Sequence, residues 1–151
     1  MVDIKQLCIN AKQASYELSG MPENKKNEIL TAIAQSILDN KDYIVAENKV
    51  DTDSLKGMDG AFLDRLTLND ARIKAMSDGL LEIVKLPDPV GEVVETWTTD
   101  SGLQISKVRA PLGVIGVIYK ARPNVTIDVA GLCIKTGNSV ILRGGSDAIN
   151  S

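Results

Sequence analysis

A buried-type apolar run at Val114-Ile115-Gly116-Val117-Ile118-Tyr119 is followed by a helical stretch from Asn124 to Thr136, closed by Gly137, and then by a β-rich run at Ser139-Val140-Ile141-Leu142-Arg143. Strand, helix and strand in that order make a βαβ unit, whose two strands run parallel. Parallel strands need cover on both faces, and two of them form only a marginal sheet. The pattern thus calls for more strands than it contains. A further helix has barely begun at Ser146-Asp147-Ala148-Ile149-Asn150-Ser151, so the expectation is a piece of a longer protein.

Upstream, the apolar spacing is helical. Ile4, Leu7, Cys8, Ala11, Ala14 and Leu18 predict a first helix with Asp3 as N-cap and Gly20 past its end. Ile29, Leu30, Ile33, Ala34, Ile37 and Leu38 mark a second, ending near Asn40, with a short helix through Ile44 and Val45 after it. Asp51 to Gly60 is polar and glycine-punctuated, which predicts a surface connection. Thr67-Leu68-Asn69-Asp70 resembles a capping box ahead of Ile73, Met76, Leu80, Ile83 and Val84, and Pro87-Asp88-Pro89 stops that helix. Composition then turns β-rich: Glu92 to Trp97 and Leu103 to Arg109 flank Asp100-Ser101-Gly102, which predicts a hairpin.

The bulk numbers remove several classes of function. With 151 residues, 44% of them hydrophobic and 25% charged, the chain has the composition of a soluble globular protein. A net charge of −3 and a pI near 5.0 give no global pull toward nucleic acid or an anionic membrane. No apolar run approaches the roughly 20 residues that span a bilayer, and the start shows no secretory pattern, so a cytoplasmic location is expected. Histidine is absent and the two cysteines, Cys8 and Cys133, are far apart, which argues against zinc and against any Ser-His or Cys-His pair in these residues. Both cysteines read as core residues on apolar helix faces.

In an open α/β sheet, ligands bind beyond the carboxyl ends of the strands, and two loops lie there. Tyr119-Lys120-Ala121-Arg122-Pro123-Asn124 sets two cations beside a helix N-terminus; it is either an anion site or a solvated basic loop with Asn124 as an ordinary N-cap. Arg143-Gly144-Gly145-Ser146-Asp147 ends the second strand. Either Arg143 reads a ribose 2′-phosphate, which favours NADPH over NADH, or the glycines only make a tight turn. The dinucleotide fingerprint GxGxxG is missing. Gly113 and Gly116 enter the first strand instead of opening the helix after it, and they suit close packing of strand and hairpin.

Three longer motifs resemble one family. Pro111-Leu112-Gly113-Val114-Ile115-Gly116-Val117-Ile118-Tyr119, Arg122-Pro123-Asn124-Val125-Thr126 and Lys135 through Ser146 look like gamma-glutamyl phosphate reductase, of the aldehyde dehydrogenase superfamily. Asp64-Arg65-Leu66 and Leu86-Pro87-Asp88-Pro89-Val90-Gly91 fit the same family. The resemblance implies an α/β fold in which N-terminal helices (1–91) and a protruding hairpin (92–110) precede the first βαβ unit of a Rossmann-like NADP-binding domain (111–151), the catalytic domain with its nucleophilic cysteine lying outside the chain. It implies reduction of L-glutamyl 5-phosphate by NADPH to L-glutamate 5-semialdehyde with phosphate release, a step of proline biosynthesis, and a homo-oligomer formed through the hairpin. Arg143 and Ser146 are the implied cofactor contacts, Arg122 a substrate or anion contact, and Asn124 an oxyanion contact; no metal is implied. Lys120 stands where many members carry an acidic residue. The competing readings are another acyl reductase of the superfamily, such as a CoA-acylating aldehyde dehydrogenase, and a non-catalytic assembly fragment. Without the nucleophile, the chain by itself is expected to be inactive.

Overall fold

The computed structural model describes residues 3–55, 57–120 and 122–151; Met1, Val2, Lys56 of the expected surface connection and Ala121 of the first candidate loop lie outside the described residues. Five helices come first, α1 (Ile4–Ser19), α2 (Glu23–Asp39), α3 (Lys41–Ser54), α4 (Gly60–Leu66) and α5 (Asp70–Lys85). A hairpin of β1 (Val93–Thr98) and β2 (Gln104–Val108) follows, then β3 (Val114–Ile118), α6 (Pro123–Lys135), β4 (Ser139–Arg143) and a 3₁₀ turn at Ser146–Ala148.

The helical core is the α2/α5 interface. Leu30, Ala34 and Ile37 of α2 meet Ile73, Met76 and Leu80 of α5, with Leu68 at the edge. Their spacing puts each set on one helix face, and burial of such a face, worth about 1.5–3 kcal/mol per large apolar side chain, holds the pair together. Ile127 and Ile134 of α6 pack on the same cluster. Gly131 makes that approach close, since a methyl group there would meet Leu80 Cδ2 at 2.6 Å and Ile83 Cδ1 at 3.1 Å.

The parallel pair β3/β4 forms as the βαβ pattern requires, in register from Val114↔Ser139 to Ile118↔Arg143. Gly137 ends α6 at φ +72°; its N–H bonds to Ile134 O (3.1 Å) and that of Asn138 to Cys133 O (2.8 Å), which together make a Schellman motif. The chain then turns straight into β4. Helix α1 lies on this sheet, and Ser139 Oγ donates to Ala11 O at 2.7 Å.

The hairpin is antiparallel, with Trp97 opposite Ile105, a register irregularity between Val93 and Glu95, and Gly102 at φ +84° in its turn. Every residue of β1 is exposed. Arg109 Nε and Glu92 Oε2, 2.6 Å apart, close its base.

Several expectations need correction. Helix α3 is not short: it runs through Asp51, and Asn48 and Asp51 are buried because they bond to distant backbone. Asn48 accepts from Leu68 N (2.6 Å) and donates to Leu66 O (2.8 Å), while Asp51 accepts from the backbone N–H groups of Asn150 and Ser151 (3.1 and 2.9 Å). The surface connection therefore begins only after Leu55, and α4 follows it without an apolar period to announce it. The capping box does not form. Asn69, not Thr67, caps α5 by accepting from Arg72 N at 2.9 Å, and the Thr67 hydroxyl is taken by Leu63 O at the end of α4. Cys8 is exposed, because α1 turns its Ala11 and Ser15 side toward the sheet; Cys133 is buried as expected. The β3 run is only partly covered, Ile118 being 80% exposed, since each strand of a two-stranded sheet is an edge. No atom lies within 4 Å of a methyl group placed at Gly116, so it is no close-packing site, and Gly113 is required for its φ of +108°.

Candidate functional site

Both candidate loops lie at the carboxyl edge of β3/β4, where the ladder runs one residue further: Tyr119 N–H donates to Arg143 O at 3.1 Å. The Tyr119 hydroxyl pairs with Thr126 Oγ1 of α6 at 2.6 Å. A methyl group at Gly144 would sit 3.6 Å from the Tyr119 ring. One tyrosine thus ties the exit of β3, the first turns of α6 and the exit of β4 together.

Helix α6 starts one residue earlier than the sequence suggests. Pro123 takes the first position, where its fixed φ is favourable and its missing N–H costs nothing, and Arg122 is the N-cap residue. Asn124 is therefore not the cap. Its amide donates along the helix to Asp128 Oδ2 at 3.1 Å. No side chain caps α6, so its first N–H groups keep the partial positive charge that attracts anions.

Arg122, Asn124 and Asp128 line a cleft of about 490 Å³ together with Asp64, Arg65, Thr67 and Arg72 and the apolar Leu68, Ala75 and Met76. Arg72 is committed to structure. Its guanidinium donates to Asp64 O, to Thr67 O at 2.7 Å and to Asp64 Oδ1 at 2.8 Å, which neutralises Asp64. Arg65 and Arg122 are exposed and form no ion pair with a described residue. The cleft thus brings two of the sequence-derived candidates, Arg122 and Asn124, together with Arg65 and Asp128, which sequence reasoning did not single out. Asp128 was within reach of it, one helical turn after Asn124. Arg65 stands inside the Asp64-Arg65-Leu66 motif, but nothing in the linear sequence connects it to the β3–α6 loop.

Arg143 and Ser146 lie apart from that cleft. Arg143 ends β4, exposed and without an ion pair to a described residue, and Ser146 opens the exposed 3₁₀ turn after Gly144-Gly145. A free guanidinium, a hydroxyl and two glycines that leave the backbone approachable make a donor set that fits a ribose phosphate. Cys133 is a poor nucleophile, since burial raises its thiol pKa and the side chain is 5% exposed. Among the described residues no group of three His, Cys, Asp or Glu could hold a metal ion, and no helix is long and apolar enough to cross a membrane.

No protein-family model matches the chain. Among curated proteins, the gamma-glutamyl phosphate reductase of Clostridium botulinum is 56% identical over 143 residues, covering 93% of this chain and 34% of the relative. In three dimensions the chain superposes on the gamma-glutamyl phosphate reductase of Thermotoga maritima with a TM-score of 0.94 at 36% identity, covering 99% of this chain and 36% of that one. The Saccharomyces cerevisiae protein of the same name gives 0.92 at 33%, covering 99% and 39%. A Listeria monocytogenes protein described as a probable aldehyde dehydrogenase (18% identical, TM-score 0.68) and a 3,6-anhydro-L-galactose dehydrogenase in complex with NAP (22%, 0.61) share the fold alone. The chain spans about a third of the length of the curated relatives it matches. In sequence and in fold it belongs to the gamma-glutamyl phosphate reductase family, of which it represents the N-terminal part.

Proposed function

We propose that the protein carrying this chain reduces L-glutamyl 5-phosphate to L-glutamate 5-semialdehyde with release of phosphate, using NADPH, in the cytoplasm. The observation that carries the reading is the identity above 50% to proteins of that name, along nearly the whole chain. A cysteine thiolate outside these residues displaces phosphate from the acyl carbon to give a thioester; hydride addition to that carbon then expels the thiolate and leaves the aldehyde. NADPH, when bound, supplies the hydride. The part played by this chain is positioning. Arg143 and Ser146 hold the adenosine ribose and its phosphate, and Arg122 contacts the substrate at the mouth of the β3–α6 loop. Asn124 is assigned to the oxyanion, with the second N–H of its amide as donor while the first stays on Asp128.

Three parts divide the work: helices in 1–91, a hairpin in 92–110 that joins subunits, and the cofactor-binding unit in 111–151. Val93, Val94, Trp97 and Val108 leave apolar surface on the hairpin, which supports a second copy as its partner. The test is the reverse reaction with L-glutamate 5-semialdehyde, phosphate and NADP+, using a protein of the relatives' length. Phosphate-dependent NADPH formation is expected, and none from the 151-residue chain alone. A folded, cysteine-intact protein without that activity would overturn the reading.

A further inference from the structure

We propose that the cleft between α4, α5 and the start of α6 takes the amino-acid end of the substrate, with Arg122 and Arg65 facing its α-carboxylate and Asp128 its α-ammonium group. This deepens the reading above and rests on it. L-glutamyl 5-phosphate presents two different ends: a phosphate carrying negative charge only, and a carbon bearing a carboxylate and an ammonium side by side. A site for the first would show cations alone. The cleft shows both signs.

Its charges can be sorted by what they already hold. Arg72 bonds to the Asp64 carboxylate and to the backbone oxygens of Asp64 and Thr67, so both charges are spent. Arg65 of α4 and Arg122 before α6 are left without an ion pair to a described residue, and Asp128 has only the neutral amide of Asn124 as a partner among the described residues. The free set is therefore two guanidiniums and one carboxylate. Planar guanidinium matches carboxylate in charge-assisted, bidentate geometry. A carboxylate in the same cleft repels a phosphate dianion and attracts an ammonium. Leu68, Ala75 and Met76 offer apolar surface for the methylenes between the two ends, and about 490 Å³ is ample for a small amino acid. The uncapped N-terminus of α6 strengthens the carboxylate side.

The experiment compares three aldehydes in the phosphate-dependent reverse reaction of the protein at its relatives' length. They are L-glutamate 5-semialdehyde, 5-oxopentanoate, which lacks the ammonium, and 4-aminobutanal, which lacks the carboxylate. Asp128→Asn is expected to lose roughly 10-fold or more in kcat/KM on the two aldehydes that carry an ammonium, and little on 5-oxopentanoate. Arg122→Gln and Arg65→Gln should do the converse, losing activity on the two that carry a carboxylate and sparing 4-aminobutanal. The KM values for phosphate and NADP+ should not move. Calorimetric binding of L-glutamate, glutarate and 4-aminobutyrate reads the same discrimination without turnover, and circular dichroism checks that the amide variants stay folded. A raised KM for phosphate, or equal losses on all three aldehydes, would overturn the assignment. Wild-type protein that discriminates L-glutamate, glutarate and 4-aminobutyrate but turns over no aldehyde would instead refute the proposed reaction and leave the cleft's role standing.

Discussion

Replacing Asp88 by asparagine removes the counter-charge from an ammonium that has no access to water. Lys26 of α2 is fully buried and donates to Asp88 Oδ2 at 2.6 Å; Asp88 is 14% exposed, and its other oxygen accepts from Val90 N–H at 2.9 Å. Burial by itself pushes the Asp88 carboxyl up, but the Lys26 bond, the Val90 N–H and the charges of Lys26 and Lys135 outweigh it and hold the group below its ordinary value. An asparagine keeps the shape and can still accept from Val90, so the loss is electrostatic. Breaking a buried pair by removing one partner costs about 3–5 kcal/mol, because the other charge stays buried and uncompensated. Lys26→Met removes the charge and keeps the stem; Asp88 retains Val90 and reaches solvent, so the cost should be about 1 kcal/mol or less. The double variant should recover most of what Asp88→Asn loses. Urea and thermal unfolding of the protein carrying this chain, followed by circular dichroism, measure all three. At roughly 2–4 °C per kcal/mol for a domain of this size, Asp88→Asn should lower Tm by about 6–20 °C. If Lys26→Met costs as much as Asp88→Asn, or the double variant recovers nothing, the pair acts through packing and the argument fails.

Three further outcomes are expected. Burial raises the Asp51 carboxyl too, yet the Ser151 and Asn150 hydrogen bonds outweigh it and leave the pKa lowered, as at Asp88; the unfolded chain therefore binds protons first as pH falls, and urea midpoints should hold above about pH 5 and decline below about pH 4. A flat profile from pH 7 to 3 would contradict this. Gly137→Ala forces a side chain onto φ +72° and sets its methyl 2.9 Å from Pro111 Cγ and 3.3 Å from Leu18 O, so it should lose about 2–4 kcal/mol, whereas Gly79→Ala in α5, with nothing within 4 Å, should be neutral or gain up to about 1 kcal/mol in the same unfolding assay. Arg143→Ala should raise the KM for NADPH roughly 10-fold or more while changing that for NADH little, and a uniform effect on both cofactors would remove Arg143 from the 2′-phosphate.

What could be read from the residues divides along the range of the forces involved. The βαβ unit, the hairpin and the α2 and α5 faces were legible because apolar period, turn glycines and prolines act within a few positions. The burial of Asn48 and Asp51 was not legible. Their partners at Leu66, Leu68, Asn150 and Ser151 are distant in sequence, and a polar stretch looks like a surface until those partners arrive. Local rules also misfired where two elements compete for one residue: Thr67 suits a cap on paper, but α4 ends on it and Asn69 takes the role. The site followed the same division. Arg122 and Arg143 could be picked out as candidates because the carboxyl ends of parallel strands are where ligands bind, whereas Arg65 depends on α4, a short helix without apolar period.

The joint between those two kinds of information is α6. Its N-cap and first two turns carry Arg122, Asn124 and Asp128, Thr126 pairs with Tyr119, and Gly131 lets the helix settle against Leu80, Ile83 and Leu30 of the helical core. Lys135, 2% exposed, fastens its last turn by donating to Asn27 Oδ1 (2.8 Å), Glu23 Oε1 (3.0 Å) and Val84 O (3.2 Å), so all three ammonium hydrogens have partners. The helix is thereby fixed to α2 and α5 at one end and to both strand exits at the other. Arg122 on the β3–α6 loop and Arg143 on β4, the proposed anion and cofactor contacts, are then both anchored through this one helix. A change in the α5/α6 packing at Gly131 should move both contacts together, which separates loss of positioning from loss of either arginine alone.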